Sequence, residues 1–228
     1  MIDDPPLLTI RRRFDRPTAE QVKALTGVPT GNVADAMGGR GALAPSIKPL
    51  SPNMTLVGPA VTCYAGPADN LALFAALDIA GPGDILVAAA DGFTDAAITG
   101  DLLVGMMRNK GVAGFVTDTA VRDVAGILET GLPVYCAGVT PNSPARNGPG
   151  TAGQPVDVGG MRIESGDVLV GDGDGVVVIP HAALAGTLEE LKAVGAAEAA
   201  LTAEVAAGLV MPDFAKAILT SDRVVEID

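Results

Sequence analysis

Between residues 85 and 138 the chain alternates short apolar runs with helix-forming stretches: "ILVAAA", "DLLVGMMRNKG", "VAGFVTD", "DVAGILETG" and "PVYCAG". The apolar runs lack polar alternation, so they read as strands covered on both faces, as in parallel sheets. Parallel neighbours need a crossover, and the intervening helical stretches supply it. This alternation restricts the chain to an α/β fold with a parallel strand–helix core. With 3% aromatic residues and no Trp, that core must be built from Ala, Val, Leu and Ile, which suits closely packed layers.

The flanks extend the pattern. "TAEQVKALTGVPTGNVADAMG" reads as helix, turn, helix, with Thr18 and Thr30 as N-caps and a break at Gly27–Pro29. "LVGPAVTCYA" is a strand, and "DNLALFAALDIAGPGD" is a helix that starts at an Asp69–Asn70 cap. Residues 141–160, rich in Pro, Gly, Asn and Ser, read as a surface loop. "VDVGGMRIESGDVLVGDGDGVVVIP" reads as β-hairpins turning at Gly159–Gly160, Ser165–Gly166 and Gly171–Gly175. The repeated Asp and Gly of the last turn lack the Lys of a phosphate loop and the length of a calcium loop, so a turn is favoured. A long helix follows His181, with an interruption near Gly195. No repeat or clean linker divides residues 1–228, which read as one α/β domain.

A net charge of −12 argues against a nucleic-acid footprint, since phosphate binding needs clustered Lys and Arg. The short basic run "RRRFDR" (11–16) reads as a solvated first turn or a subunit contact. Cys63 and Cys136 sit in apolar runs and read as buried, reduced thiols, consistent with a cytoplasmic location. The start, "MIDDPPLL", lacks the basic-then-apolar pattern of a secretory signal, and no stretch has membrane-spanning character. His181 is the only histidine, so a histidine-rich zinc or iron site is excluded, and a metal would have oxygen ligands.

Spacing gives the chemistry its place. Asp101 opens one helix, and Arg122–Asp123 follow the next strand after twenty intervening residues. In parallel α/β structure a helix start and the following strand end share one edge of the sheet, where ligands bind. Asp101, Arg122 and Asp123 should therefore converge, beside free amides at Gly100, Asp101, Leu102 and Leu103 that suit a carboxylate. Each residue alone has an ordinary reading. Asp101 would be a helix-start acid, and Arg122–Asp123 a cap with a surface ion pair. Together they suit a divalent cation and an anionic oxo acid.

The segment "GDLLVGMMRNKGVAGFVTDTAVRDV" resembles the signature of the RraA-like superfamily, in its class II pyruvate aldolase branch. That branch includes 4-hydroxy-4-methyl-2-oxoglutarate aldolase and enzymes that decarboxylate oxaloacetate. Supporting pieces are "NVADAMG", "GPAVT", "GPGDILVAA" and "SGDVLVGDGDGVVVIP", so the resemblance covers roughly residues 25–210. It implies a layered α/β/β/α-type domain in homotrimers or homohexamers with interfacial sites, acting on a small 2-oxo acid with Mg²⁺ or Mn²⁺.

On this resemblance Asp123 is the protein ligand of the metal and Asp101 holds its bound water. Arg122 contacts the 2-oxo oxygen, and the amides of Gly100 to Leu103 receive the substrate carboxylate. A glutamate from a neighbouring subunit is matched by Glu198, ten residues before Gly208, although the basic residue usual four positions later is Thr202 here. The implied reaction releases pyruvate through a stabilised enolate, and no lysine stands beside these residues to form a Schiff base. The regulator branch of the same superfamily, which binds a ribonuclease, is the alternative; it lacks the metal aspartate, which this chain has at Asp123. Nothing resembles a methyl-donor site. Residues 32–40 and 141–153 are the expected source of specificity for the distal end of the substrate.

Overall fold

The computed structural model describes residues 6–227. The chain opens with β1 (Leu8–Ile10), α1 (Ala19–Lys23), α2 (Thr30–Ala36) and β2 (Lys48–Pro49). Next come β3 (Leu56–Tyr64), α3 (Leu71–Ile79), β4 (Ile85–Ala89), β5 (Ala97–Thr99) and α4 (Asp101–Lys110). These lead to β6 (Gly114–Thr117), β7 (Ala120–Val121), α5 (Val124–Thr130), β8 (Val134–Cys136) and β9 (Gly138–Val139). The remainder holds β10 (Gly150–Ala152), β11 (Val156–Val158), β12 (Met161–Ile163), β13 (Val168–Gly171), β14 (Val176–Ile179), α6 (Leu184–Ala206) and α7 (Asp213–Leu219).

β3, β4, β6 and β8 lie side by side in parallel, joined by α3, α4 and α5 as the alternation requires. Antiparallel β2 closes one edge beside β8. On the other side β3 is shared: its first half pairs with β13, and its end pairs with β10. A small parallel sheet, β5–β7–β9, sits apart from the main one.

The pleat sorts side chains into three apolar layers. Leu86 and Ala88 of β4, with Val61, Cys63 and Phe115, face α3–α5 through Leu73, Val104, Met107 and Ile127. Their neighbours Ile85, Val87 and Val116 face the opposite way, onto Val156, Val158, Ile163, Leu169 and Val178. The outer face of β13 and β14 (Val168, Val170, Val177, Ile179) then packs on Leu25, Val33 and Leu184 beneath α1, α2 and α6. The order is helix, sheet, sheet, helix, the layered architecture expected. Because every strand in the middle is covered twice, its residues are apolar without alternation.

Several local expectations are met. Thr18 caps α1 through a reciprocal box with Gln21, and Gly111 ends α4 with φ of 84°. Cys63 and Cys136 are buried free thiols, and burial pushes the Cys63 thiol up to about 12. Other expectations need correction. Thr30 is not an N-cap; it is the first residue of α2, and its hydroxyl and amide both donate to Asp172 at 2.9 Å. Gly195 does not interrupt α6, which runs on through it.

The 141–160 segment is not all loop, since β10 joins the main sheet and β11 forms a hairpin with β12 around Gly159–Gly160. Ser165–Gly166 turns the chain from β12 to β13, but those two strands do not pair; β13 prefers β3 and β14. The basic run is not a helical turn. Arg12 pairs with Asp78, and Arg16 grips buried Asp84 through two hydrogen bonds of 3.2 and 2.8 Å. Arg16 therefore ties the amino-terminal segment to the main domain.

Candidate active site

The strand expected to deliver Arg122 is really two. β6 stops at Thr117, and the two-residue β7 carries the chain to Arg122. β7 pairs with β5 so that Val121 lies opposite Thr99, and the Arg122 amide donates to the Thr99 carbonyl at 3.0 Å. Both strands end together. β5 opens into α4 at Gly100–Asp101, and β7 opens into α5 after Asp123. The convergence read from spacing is thus real, and the small second sheet produces it.

Close approach depends on two glycines. A Cβ on Gly100 would lie 2.4 Å from Oδ2 of Asp123, and one on Gly126 would lie 2.7 Å from Oδ2 of Asp101. Gly100 therefore lets Asp123 fold over the start of α4, and Gly126 lets α5 press against Asp101. Gly126 carried no signal in the sequence, because its neighbour is set by packing of α4 on α5.

The ordinary reading of Arg122–Asp123, a cap with an ion pair, is met only in part. Asp123 occupies the N-cap position of α5 yet makes no capping hydrogen bond. Its φ of 57° and ψ of 44° put it in the left-handed region, a conformation that costs of order 1 kcal/mol for a non-glycine residue and clusters at functional sites. Its Oδ2 sits 3.2 Å from Nε of Arg122, and both side chains keep solvent access. Arg122 in turn donates from Nη1 to Oγ of Ser143 at 2.6 Å. Asp101 accepts the Leu102 amide on Oδ1 at 2.7 Å, so that one amide of the expected cradle is engaged within the chain.

These groups line a pocket of about 160 Å³ with Asn70, Phe74, Leu103, Met106, Pro144 and Arg146. The sequence places Asn70 in a helix cap, but its neighbour Asp69 does that work by accepting the Leu71 amide at 2.8 Å. Asn70 instead donates to the Ile98 carbonyl at 3.0 Å, and its buried Oδ1 has no hydrogen-bond partner. An unpartnered buried oxygen beside this pocket is unusual, and such a group calls for a partner from a ligand, water or ion.

The donor set suits a hard cation. Asp101 and Asp123 offer carboxylate oxygens, and no cluster of three or more His, Cys, Asp or Glu exists among the described residues. One or two carboxylates with the remaining positions left to water and substrate is how Mg²⁺ is usually held. His181 stands elsewhere, its amide donating to Asp167. Glu198 is not in this pocket within one chain. It lies on α6, where it accepts a hydrogen bond from Asn32 of α2. Of the two regions expected to set specificity, 141–153 borders the pocket through Pro144 and Arg146, with Ser143 hydrogen-bonded to Arg122, and 32–40 does not border it.

Fold and pocket together define an α/β protein whose sheet edge joins two aspartates and an arginine at a helix start. The chain belongs to the RraA-like family: the family model described as Aldolase/RraA matches residues 30–178. A Halalkalibacterium halodurans protein, provisionally named a 4-hydroxy-4-methyl-2-oxoglutarate aldolase, is 40% identical over 165 residues, which is 72% of this chain and 79% of the relative. Among solved structures, Streptomyces coelicolor RraAS2, titled an unusual member of the RNase ES inhibitor RraA family, superposes with a TM-score of 0.74 at 29% identity, covering 83% of this chain and all of that one. An uncharacterized protein of Pseudomonas syringae shares the fold, with a TM-score of 0.76 at 22% identity over 86% of this chain and 97% of that one. Among the described residues no helix is long and apolar enough to cross a membrane.

Proposed function

We propose that this protein is a divalent-metal-dependent lyase that cleaves a C–C bond of a 2-oxo acid and releases pyruvate. The observation that carries the reading is the convergence of Asp101, Arg122 and Asp123 at the start of α4, with Asp123 held in a left-handed conformation and free of any capping duty. The aldolase name of the H. halodurans relative supports it.

Asp123 is the residue that would hold Mg²⁺ or Mn²⁺, and Asp101 would hold water at the ion. When bound, such an ion acts as a Lewis acid on the 2-oxo group and lowers the pKa of water. The chain's own residues do the rest. Amides at the start of α4 receive the substrate carboxylate, with the helix dipole in support. Arg122, steadied by Ser143 and Asp123, places its guanidinium where the 2-oxo oxygen becomes an enolate oxygen, and a fixed donor there stabilises the transition state more than the ground state.

In the retro-aldol direction the C4 hydroxyl loses its proton and C4 becomes a carbonyl. The C3–C4 electron pair moves into the enolate, whose C3 then takes a proton. Asp101 orients the water that removes and returns that proton. In oxaloacetate the same electron pair is released by loss of CO₂, and no hydroxyl proton need leave first. Glu198 completes the site from a neighbouring copy in a trimer or hexamer, a reading supported by the exposed Leu201, Val205, Phe214 and Ile218 on α6 and α7.

The RraAS2 likeness keeps a second reading, a non-catalytic ribonuclease-binding regulator, in view. Pyruvate release from 4-hydroxy-4-methyl-2-oxoglutarate and oxaloacetate, measured with Mg²⁺ or EDTA, separates the two. The lyase predicts metal-dependent release that falls at least about 100-fold in Asp123→Asn. Release no faster than with free metal rejects both named activities.

A further inference from the structure

We propose that α7 of a second copy of this chain docks in the groove between α3 and α4, where it walls the mouth of the active-site pocket. The inference rests on the reading that Glu198 enters a second copy, and extends it to the segment beyond residue 210, outside the residues 30–178 that the family model matches.

The groove holds about 440 Å³ and is lined by Phe74, Leu77 and Asp78 of α3 and by Met106, Asn109 and Lys110 of α4. Phe74 and Leu77 lean inward on the helical layer of the core, yet Met106 stays 49% exposed. One turn before it Leu102 is 78% exposed, so α4 carries an uncovered apolar stripe from the catalytic mouth outward. Phe74 and Met106 also line the active-site pocket, so whatever fills the groove becomes a wall of that pocket.

α7 has the complementary surface. None of its residues is buried, and Phe214 (68% exposed) and Ile218 stand one turn apart on one side. A helix presenting apolar anchors at i and i+4 fits an apolar groove. Within one chain, then, an apolar helix face and an apolar groove are each left without a partner.

Charge and length make a second copy the occupant. From Glu198 onward six acidic residues stand against two basic ones. α4, in contrast, ends in Arg108 and Lys110, and neither makes an ion pair among the described residues. The acidic arm is thus drawn to the basic end of the groove and repelled by the acidic remainder of the molecule. α4 runs about 12 Å from Asp101 to Asn109, and α6 runs about 12 Å from Glu198 to Ala206. With Glu198 placed at Asp101 and Asp123 of a second copy, α6 running along α4 brings the turn before α7 level with the groove.

The test is a disulfide between copies, which forms only where two backbones come close. Cys63 and Cys136 are buried, so introduced surface thiols are the ones that react in the native protein. Asn109→Cys and Ile218→Cys are made as separate full-length proteins, mixed to exchange subunits and mildly oxidised, and linked peptides are identified by mass spectrometry. The 109–218 link should form at least about tenfold above a control in which Arg162→Cys, on the β11–β12 hairpin, replaces Asn109→Cys. Adding Phe214→Asp to the Ile218→Cys protein should cut the yield about tenfold, because it removes the apolar anchor. No link above the control, or no effect of Phe214→Asp, overturns the proposal. Closure within one chain of the Asn109→Cys/Ile218→Cys double variant also overturns it. The link needs neither metal nor turnover, so a protein that forms it and releases no pyruvate fails the lyase reading alone. Activity restored by mixing Asp123→Asn with Glu198→Gln, without the 109–218 link, would keep Glu198 in the second copy's pocket and overturn the docking of α7 alone.

Discussion

At the scale of single residues, the site depends on two missing side chains as much as on three present ones. Gly126 is packed against Asp101 so closely that one methyl group must displace the carboxylate. Gly126→Ala should lower pyruvate release by about 10–100-fold, since a shift near 1 Å at a reacting group is that costly. The melting temperature should move little, because alanine favours the helix by about 0.5–1 kcal/mol and offsets part of the clash. Gly105→Ala in α4, whose added Cβ meets nothing within 4 Å, is the matched control and should keep full activity. Equal effects in the two variants would mean that Asp101 is not positioned by this contact.

At the scale of elements, the turn between β13 and β14 reaches across to start α2. Burial alone would raise the Asp172 carboxyl, but hydrogen bonds from Thr30 and from the Asp174 and Gly175 amides more than reverse this and hold it below the usual carboxylate range. A depressed folded pKa stabilises above the unfolded value, near 3.9, and that stabilisation fades as pH falls through the folded value. Asp172→Asn should therefore cost about 1–2 kcal/mol at pH 7, the size of a lost cap, with the gap to wild type narrowing in denaturant titrations below pH 4. Asp167 behaves in the opposite sense. Burial pushes its carboxyl up despite amide donors from Glu164 and His181, so acidification relieves its charge instead of removing support.

At the scale of the molecule, the proposed completion of the pocket by a second copy rests on the carboxy-terminal arm. α6 beyond Ala196 and all of α7 are almost without burial, and Glu198 stands on that arm away from the chain's own pocket. Sedimentation should give three or six times 22.8 kDa. Mixing inactive Asp123→Asn with inactive Glu198→Gln protein, after subunit exchange, should restore part of the activity, because some interfaces then pair an intact Asp123 with an intact Glu198. Recovery of none would place Glu198 outside the site. The thiols report on the whole fold: burial raises both, Cys63 to about 12, so alkylation should track global unfolding and not native-state exposure.

What the sequence determined by itself was the alternation of the main parallel strands with α3, α4 and α5 and the nearness of Asp101, Arg122 and Asp123. Buried parallel strands must be continuously apolar, and a right-handed crossover puts each helix start beside the next strand's end. Strands of two and three residues, such as β5, β7 and β9, fall below any periodic signal, so the sheet that aligns Thr99 with Val121 was decided only by tertiary pairing. The same holds for Gly126 against Asp101, for Asp172 capping a helix 142 residues away, and for the Asn147 amide that donates to Asp69. These contacts join residues whose separation along the chain carries no periodicity, and a glycine or an aspartate looks the same in a turn as in a site until its neighbour arrives.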